Sequence, residues 1–293
     1  MQTCQIEQDV ICYSSVISAC EDGNAWEQAL AIVNQMRARR LELDVVVFSA
    51  AISAFEKGLQ WERALIMFTQ MQQSNVEPNV VSYNAVMSAC EKGEKWAGTL
   101  GLFCEMQRQG LEPDVISYNV AISVCEKGKQ WEQAVGIFTK MQDSNLERNV
   151  ISYNAAISAC EQWERALAIF AETHEKRSEL DVVTCNAVLS ACGKHRQWQW
   201  VLEMLMEMQE QDLEANVISY NAAISACDNG EQWEQALRMF ARMQAQSMEA
   251  DVVTYNAAIS ACESVEEWHR ALQMFLDMQK HTIEPDVISY MVC

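Results

Sequence analysis

Proline is nearly missing from this chain, with 3 in 293 residues, and glycine is sparse at 10. So few breakers argue against a turn-rich β fold and leave helix as the dominant element. Positive charge is scarce as well. Lys and Arg number 21 against 41 Asp and Glu, giving a net charge of -20 and a pI near 4.5. That balance favours solubility and argues against non-specific attachment to nucleic acid or anionic membrane. No run approaches the ~18 apolar residues that a membrane span needs. The longest, Val45 to Phe55, is interrupted by Ser49 and Ser53. No basic, apolar leader opens the chain. The 12 cysteines include no CxxC and no Cys/His finger spacing, so no metal is expected. What is abundant is apolar bulk: 50% hydrophobic residues, including 9 Trp, 8 Phe, 7 Tyr and 16 Met, which excludes a disordered tail.

That bulk is periodic. Asn149-Val-Ile-Ser-Tyr-Asn-Ala-Ala-Ile-Ser-Ala-Cys160 returns identically at Asn216 to Cys227. Anchoring on the Asp or Asn before the Val gives Asp9, Asp44, Asn79, Asp114, Asn149, Asp181, Asn216, Asp251 and Asp286. Each step is 35 residues except the one from Asn149 to Asp181, which is 32. The reading is a single array of eight units: 10–44, 45–79, 80–114, 115–149, 150–181, 182–216, 217–251 and 252–286. Residues 1–9 read as the tail of a partial repeat and 287–293 as the start of a truncated one, so the chain is expected to be a fragment.

Each unit reads as two helices. Tyr83, Val86, Met87 and Cys90 fall at i, i+3, i+4 and i+7, one apolar stripe. Trp131, Ala134, Val135, Phe138 and Met141 form a second stripe. Between two such stripes lies a Glu-Lys-Gly turn, as at Glu91 to Gly93, with Gly suited to a helix C-terminus. Pro113 and Pro285 close their units, because proline cannot continue a helix. One helical pair cannot bury both stripes, whereas stacked neighbours can; the expected class is therefore an all-α solenoid.

Tetratricopeptide repeats run 34 residues with a different pattern. A period of 35 that opens Val-Val/Ile-Ser/Thr-Tyr-Asn and closes Pro-Asp resembles the pentatricopeptide repeat (PPR) family, across residues 10–286. The resemblance implies a right-handed superhelix of helix-turn-helix repeats whose first helices line a groove for single-stranded RNA. In that family the fifth and last residues of a repeat jointly select one base. The pairs carried over are Ser14 with Asp44, Ser49 with Asn79, Asn84 with Asp114, and Asn119 with Asn149. They continue as Asn154 with Asp181, Asn186 with Asn216, Asn221 with Asp251, and Asn256 with Asp286. The chemistry is reasonable. Asp only accepts hydrogen bonds, which suits the protonated ring nitrogens of G and U, whereas Asn also donates, which suits A and C. The family's code then gives 5′-G-A-U-C/U-U-C/U-U-U-3′, the two Asn–Asn positions being less strict.

By the same resemblance the apolar second residues sandwich the bases: Ile11, Val46, Val81, Ile116, Ile151, Val183, Ile218 and Val253. Lys57, Lys92, Lys127 and Lys194, at the end of the first helix, would touch phosphate. Mitochondrion or chloroplast is the location the family implies, although no transit peptide is visible.

Structural readings of the same residues stand beside these. Asp or Asn at a unit's end is also a good N-cap. Asn inside the first helix, a mediocre helix former, could instead build a ladder between repeats. The recurring Cys20, Cys90, Cys125, Cys160, Cys192, Cys227 and Cys262 read as buried free thiols. The Trp row that opens the second helices and the Met row read as core. His174, His195, His269 and His281 share no repeat position and read as surface residues, and the Glu27, Glu62, Glu132, Glu164 and Glu234 row as a solvated outer face. The fifth unit runs from Cys160 through Glu161-Gln162 straight to Trp163, so its helices are expected to join tightly or merge, with a local kink.

Three functions compete. The first is sequence-specific binding of single-stranded RNA, acting passively in organellar RNA processing, stabilisation or translation. The second, motivated by the acidic charge, is a scaffold for protein partners. The third is catalysis, for which the chain offers no H-x-E with C-x-x-C and no unexplained Asp cluster, so an enzyme is not expected. No small-molecule ligand, cofactor or membrane is implied.

Overall fold

From the second repeat on, a capping carboxylate or amide starts the first helix of each repeat. The structure, a computed structural model, describes residues 10–144, 146–175, 181–263, 267–281, 283–286 and 289, without the side chains of residues 10, 11, 22, 174 and 175. The partial repeat 1–9 and, apart from Ser289, the segment 287–293 lie outside the described residues. The first helices are α1 (Val10–Asp22), α3 (Val45–Lys57), α5 (Val80–Lys92), α7 (Val115–Lys127), α9 (Val150–Ala159), α11 (Val182–Lys194), α13 (Val217–Asn229) and α15 (Val252–Glu263). The second helices, each opened by Trp, are α2 (Trp26–Ala38), α4 (Trp61–Gln73), α6 (Trp96–Arg108), α8 (Trp131–Asp143), α10 (Trp163–Glu175), α12 (Trp198–Glu210), α14 (Trp233–Ala245) and α16 (Trp268–Lys280). Among the described residues every regular element is a helix. The chain is an all-α helical-repeat solenoid.

Packing groups it into two compact units, Met1–Arg148 and Asn149–Cys293. In a solenoid each repeat touches only its neighbours, so a link between repeats is where such a division falls. Within the first unit α1, α3, α5 and α7 stack side by side, each also packing on its own second helix. Within the second unit α9, α11, α13 and α15 do the same. The second helix of one repeat also leans on the first helix of the next, as α4 does on α5 and α14 on α15.

The core lies between these rows. Tyr83 meets Phe68 of the preceding repeat edge-on at 4.9 Å between ring centroids, and Tyr255 meets Phe240 in the same way at 5.2 Å. The methionine row is interior: Met36, Met71, Met106, Met141, Met208, Met243 and Met278 are all buried. Each such side chain is worth roughly 1.5–3 kcal/mol of burial. The seven recurring cysteines are buried and free, as is Cys185.

The tryptophans depart from expectation. Trp96 and Trp268 are exposed (39% and 62%), and the other six that open second helices are half-buried. Several pack over the turn of the following repeat. Trp26 lies on Gly58, Trp61 on Gly93 and Trp198 on Gly230. A cation from that following repeat covers the ring: Arg63 over Trp26 at 4.5 Å and Lys95 over Trp61 at 4.8 Å.

The turn glycines also play a different part from the one their position suggests. Gly58, Gly93, Gly128 and Gly230 have ordinary negative φ (−76°, −85°, −79° and −85°). The left-handed residue is the next one, Leu59, Glu94, Lys129 or Glu231. At positions 58, 93 and 230 glycine supplies room for the indole. The fifth repeat lacks this turn. Its helices do not merge: α9 ends early, Cys160 turns extended (φ −66°, ψ 120°), and α10 starts after Gln162. In the sixth repeat His195 stands where other turns have glycine, with its Nε2 against the Glu161 carbonyl. His269 and His281 are exposed too, while the His174 side chain is not described. The Glu27, Glu62, Glu132, Glu164 and Glu234 row is exposed, as expected.

Candidate nucleic-acid interface

The second, fifth and last residues of successive repeats form three rows along the first helices. The second residues are the second of each first helix. They are open: Val46 58%, Val81 57%, Ile116 57%, Ile151 63%, Val183 61%, Ile218 63% and Val253 56%. The Ile11 side chain lies outside the described residues. Seven β-branched residues at one repeat position, three in the first unit and four in the second, thus face solvent.

The last residue of each repeat is the N-cap of the next helix. Asp44 accepts the Val47 N–H at 2.9 Å, and Asn79, Asp114, Asn149, Asp181 and Asn216 accept from the third residue of the following helix. Asp251 and Asp286 do likewise toward Thr254 and Ser289. In every case the bond uses Oδ1. Asp and Asn therefore cap equally, and they differ at the second atom: an Oδ2 that accepts or an Nδ2 that donates.

The fifth residue reaches the same cap. Asn84 Nδ2 donates to both Asp114 oxygens, at 2.9 and 3.1 Å. Asn221 does so to Asp251 at 3.1 and 3.3 Å, and Asn256 donates to Asp286 Oδ1 at 3.0 Å. Against an Asn cap the contact is longer and single, Asn186 Nδ2 to Asn216 Oδ1 at 3.3 Å. In the fifth repeat Thr184 Oγ1 bridges Asn154 Oδ1 and Asp181 Oδ1. Ser49 Oγ lies 3.3 Å from Ser82 Oγ, the hydroxyl that boxes the Asn79 cap. Ser14 is half-buried and Asp44 exposed, and the fourth pair, Asn119 and Asn149, is divided between the two units. The cap and the inter-repeat Asn ladder are thus both present, on the residues that the family resemblance singles out. Burial pushes the Asp251 carboxyl upward, but bonds from the Thr254 N–H and hydroxyl and the Asn221 amide outweigh it and hold the group below the usual carboxylate range. It is an anion at neutral pH.

The four lysines at the end of the first helices are exposed, and three of them carry an ion pair. Each of the three pairs with the glutamate of the preceding repeat: Lys57 with Glu21 at 3.3 Å, Lys92 with Glu56 at 2.5 Å and Lys127 with Glu91 at 3.0 Å. Ser123 adds its hydroxyl to Glu91 at 2.6 Å. These lysines are thus partly neutralised before any phosphate arrives. Lys194 is exposed. In the seventh repeat Asn229 replaces the lysine and bonds the Gly193 carbonyl instead. There burial, and Glu263 nearby, push the Asp228 carboxyl up despite the Ser260 hydrogen bond. Among the described residues no group of His, Cys, Asp and Glu is placed to hold a metal ion.

The PPR repeat family matches residues 43–92, 78–127, 113–162, 215–264 and 250–293. The pentatricopeptide repeat domain matches 168–229, and the PPR repeat 11–41. The chain belongs to the PPR family. No curated relative matches by sequence. Among solved structures it is similar to the pentatricopeptide repeat protein PPR10 in complex with an 18-nt psaJ RNA element, at 18% identity and a TM-score of 0.84, over 98% of this chain and 42% of that one. Maize PPR10 gives 24% identity and 0.73, over 96% and 40%. At such identities the likeness is one of fold. This PPR chain spans about two fifths of the length of those structures.

Proposed function

We propose that this PPR chain binds single-stranded RNA, one base per repeat, reading each base with a fifth and a last residue. One observation carries the reading. At rung after rung a cap whose first oxygen is spent on the helix offers a second atom that is either an acceptor or a donor, beside an exposed apolar residue. Helix capping requires only Oδ1, so the alternation of Asp and Asn encodes something else. A base stacked between the apolar residues of adjacent repeats would meet that second atom with its Watson–Crick edge. The expected target is 5′-G-A-U-C/U-U-C/U-U-U-3′. Bound passively, the chain would shield its site from nucleases, remodel a hairpin or position a partner, in a mitochondrion or chloroplast.

The Glu–Lys pairs at the helix ends and the net charge of -20 make phosphate attraction weak. Affinity should therefore rest on base contacts and salt should weaken it only modestly. The same charge is what favours the second reading, an acidic scaffold for protein partners. Fluorescence anisotropy with 5′-GAUCUCUU-3′ RNA, its scrambled form and the same sequence as DNA separates the two. Preference for the matched RNA supports base reading. Equal, weak, salt-erased binding of all three supports the scaffold.

A further inference from the structure

We propose that the third residue of each following repeat is a positioning residue for base recognition, its buried hydroxyl fixing the amide of the preceding repeat's Asn; this rests on the RNA-reading function above. Ser117 Oγ donates to Asn84 Oδ1 at 2.6 Å. Ser219, Thr254 and Ser289 do the same to Asn186, Asn221 and Asn256, each at 2.6 Å. These four hydroxyl-bearing residues are fully buried.

The hydrogen-bond assignment at an Asp-capped rung has one consistent solution. Ser117 Oγ accepts the Asp114 N–H at 3.2 Å and has a single proton within reach of two acceptors, Asn84 Oδ1 at 2.6 Å and the capping Asp114 Oδ1 at 2.9 Å; the shorter contact, to an amide oxygen with no proton of its own, takes most of it. Were the Asn84 amide flipped, its oxygen would face the Asp114 carboxylate, acceptor against acceptor. With Nδ2 on Asp114, the amide oxygen faces Ser117 Oγ, and the serine proton lies mostly between them. The hydroxyl and the carboxylate together hold the amide plane, leaving one Nδ2 proton and one Oδ1 lone pair for a base. An amide free to flip would present donor and acceptor interchangeably and discriminate poorly.

The sequence pairs the two residues as this requires. Repeats three to eight carry Asn at the fifth place, and each is followed by a repeat with Ser or Thr at the third. The first two repeats carry Ser14 and Ser49 instead, whose rotatable hydroxyls need no such orientation; the next repeat has Val47 in the first case and, in the second, Ser82, whose hydroxyl serves the Asn79 cap. A hydroxyl needed only for capping would be equally useful at Val47, where Asp44 caps without one.

Thr254→Val tests this in the full chain, because it removes the hydroxyl and keeps the branched shape. Anisotropy is read against 5′-GAUCUCUU-3′ and against versions with U changed to C at the seventh or, as control, the third base. The expected result is a loss of about three- to tenfold in seventh-base discrimination, the size of one hydrogen bond, with third-base discrimination unchanged and Thr254→Ser like the parent. Equal weakening on all strands, or lowered stability with the seventh-base ratio intact, overturns the proposal. Should the valine variant not fold, the parent's NMR spectrum decides. A slowly exchanging Asn221 side-chain amide proton supports the lock, and fast exchange of both protons overturns it. If the parent itself shows no base preference, the RNA reading fails and this inference with it. A discriminating parent with an equally discriminating Thr254→Val overturns the hydroxyl's role alone.

Discussion

Trp61 lies so close over Gly93 that a Cβ on the glycine would stand 2.4 Å from the indole Cδ1 and 2.9 Å from the tryptophan Cβ. The backbone at Gly93 suits any residue, so the cost of Gly93→Ala is purely one of space between two repeats. Because the clash reaches the root of the tryptophan side chain, a rotamer change cannot relieve it cheaply. The expected loss is about 1–3 kcal/mol in urea unfolding, the usual scale of overpacking. Gly98→Ala and Gly101→Ala are the contrast. Both glycines sit inside α6 with open space at the Cβ position, and each change is expected to stabilise by about 0.5–1 kcal/mol. A stable Gly93→Ala would mean the Trp–Gly contact is loose.

The exposed apolar row should matter to binding and not to folding. Ile116→Ser removes a side chain 57% exposed, so stability should change by less than about 0.5 kcal/mol. RNA affinity should fall about fivefold, near 1 kcal/mol. Urea denaturation and anisotropy on the same sample check both numbers. Loss of stability without loss of affinity would make the row structural.

The thiols give a pH signature. Burial pushes Cys90, Cys125, Cys160, Cys185, Cys192 and Cys227 up from 9.0 to about 11. A group raised on folding favours its neutral form in the native state. Its contribution is complete below pH 9 and is lost as pH climbs from 9 to 11. Tyr83, pushed to about 12 by burial and by Glu105, acts in the same direction above pH 10. The melting temperature should therefore fall steeply between pH 9 and 11. At pH 8 a thiol reagent should label Cys12 and Cys104 ahead of the eight buried described cysteines, which peptide mapping would read directly.

Much of this was legible in the sequence because the repeat displays its own grammar. Asp or Asn before the opening Val is a capping signal whether or not it also reads a base, and it marks the helix starts. The methionine and cysteine rows fell on apolar stripes and are buried. Trp61 misled for a definable reason. A residue opening a helix is covered or left open by the turn of the next repeat, and helical periodicity does not describe that turn. Gly93 misled with it, since glycine after a helix usually signals positive φ and here signals clearance. The Glu56–Lys92 pair was hidden because Lys57, the lysine beside Glu56 in sequence, faces away from it along a helix. The true partner is 36 residues on and follows from the period plus one. The amide lock on Asn84 was hidden for the same reason, its hydroxyl belonging to the next repeat.

The most direct test of the account is the exchange Asp114→Asn. The cap bond through Oδ1 survives, so urea stability should stay within about 0.5 kcal/mol of the parent. The second atom changes from acceptor to donor. Anisotropy against 5′-GAUCUCUU-3′ and 5′-GACCUCUU-3′ should then show the parent preferring U at the third base and the variant shifting its preference toward C. Identical preferences in parent and variant, with stability unchanged, would contradict base reading by the last residue of the repeat.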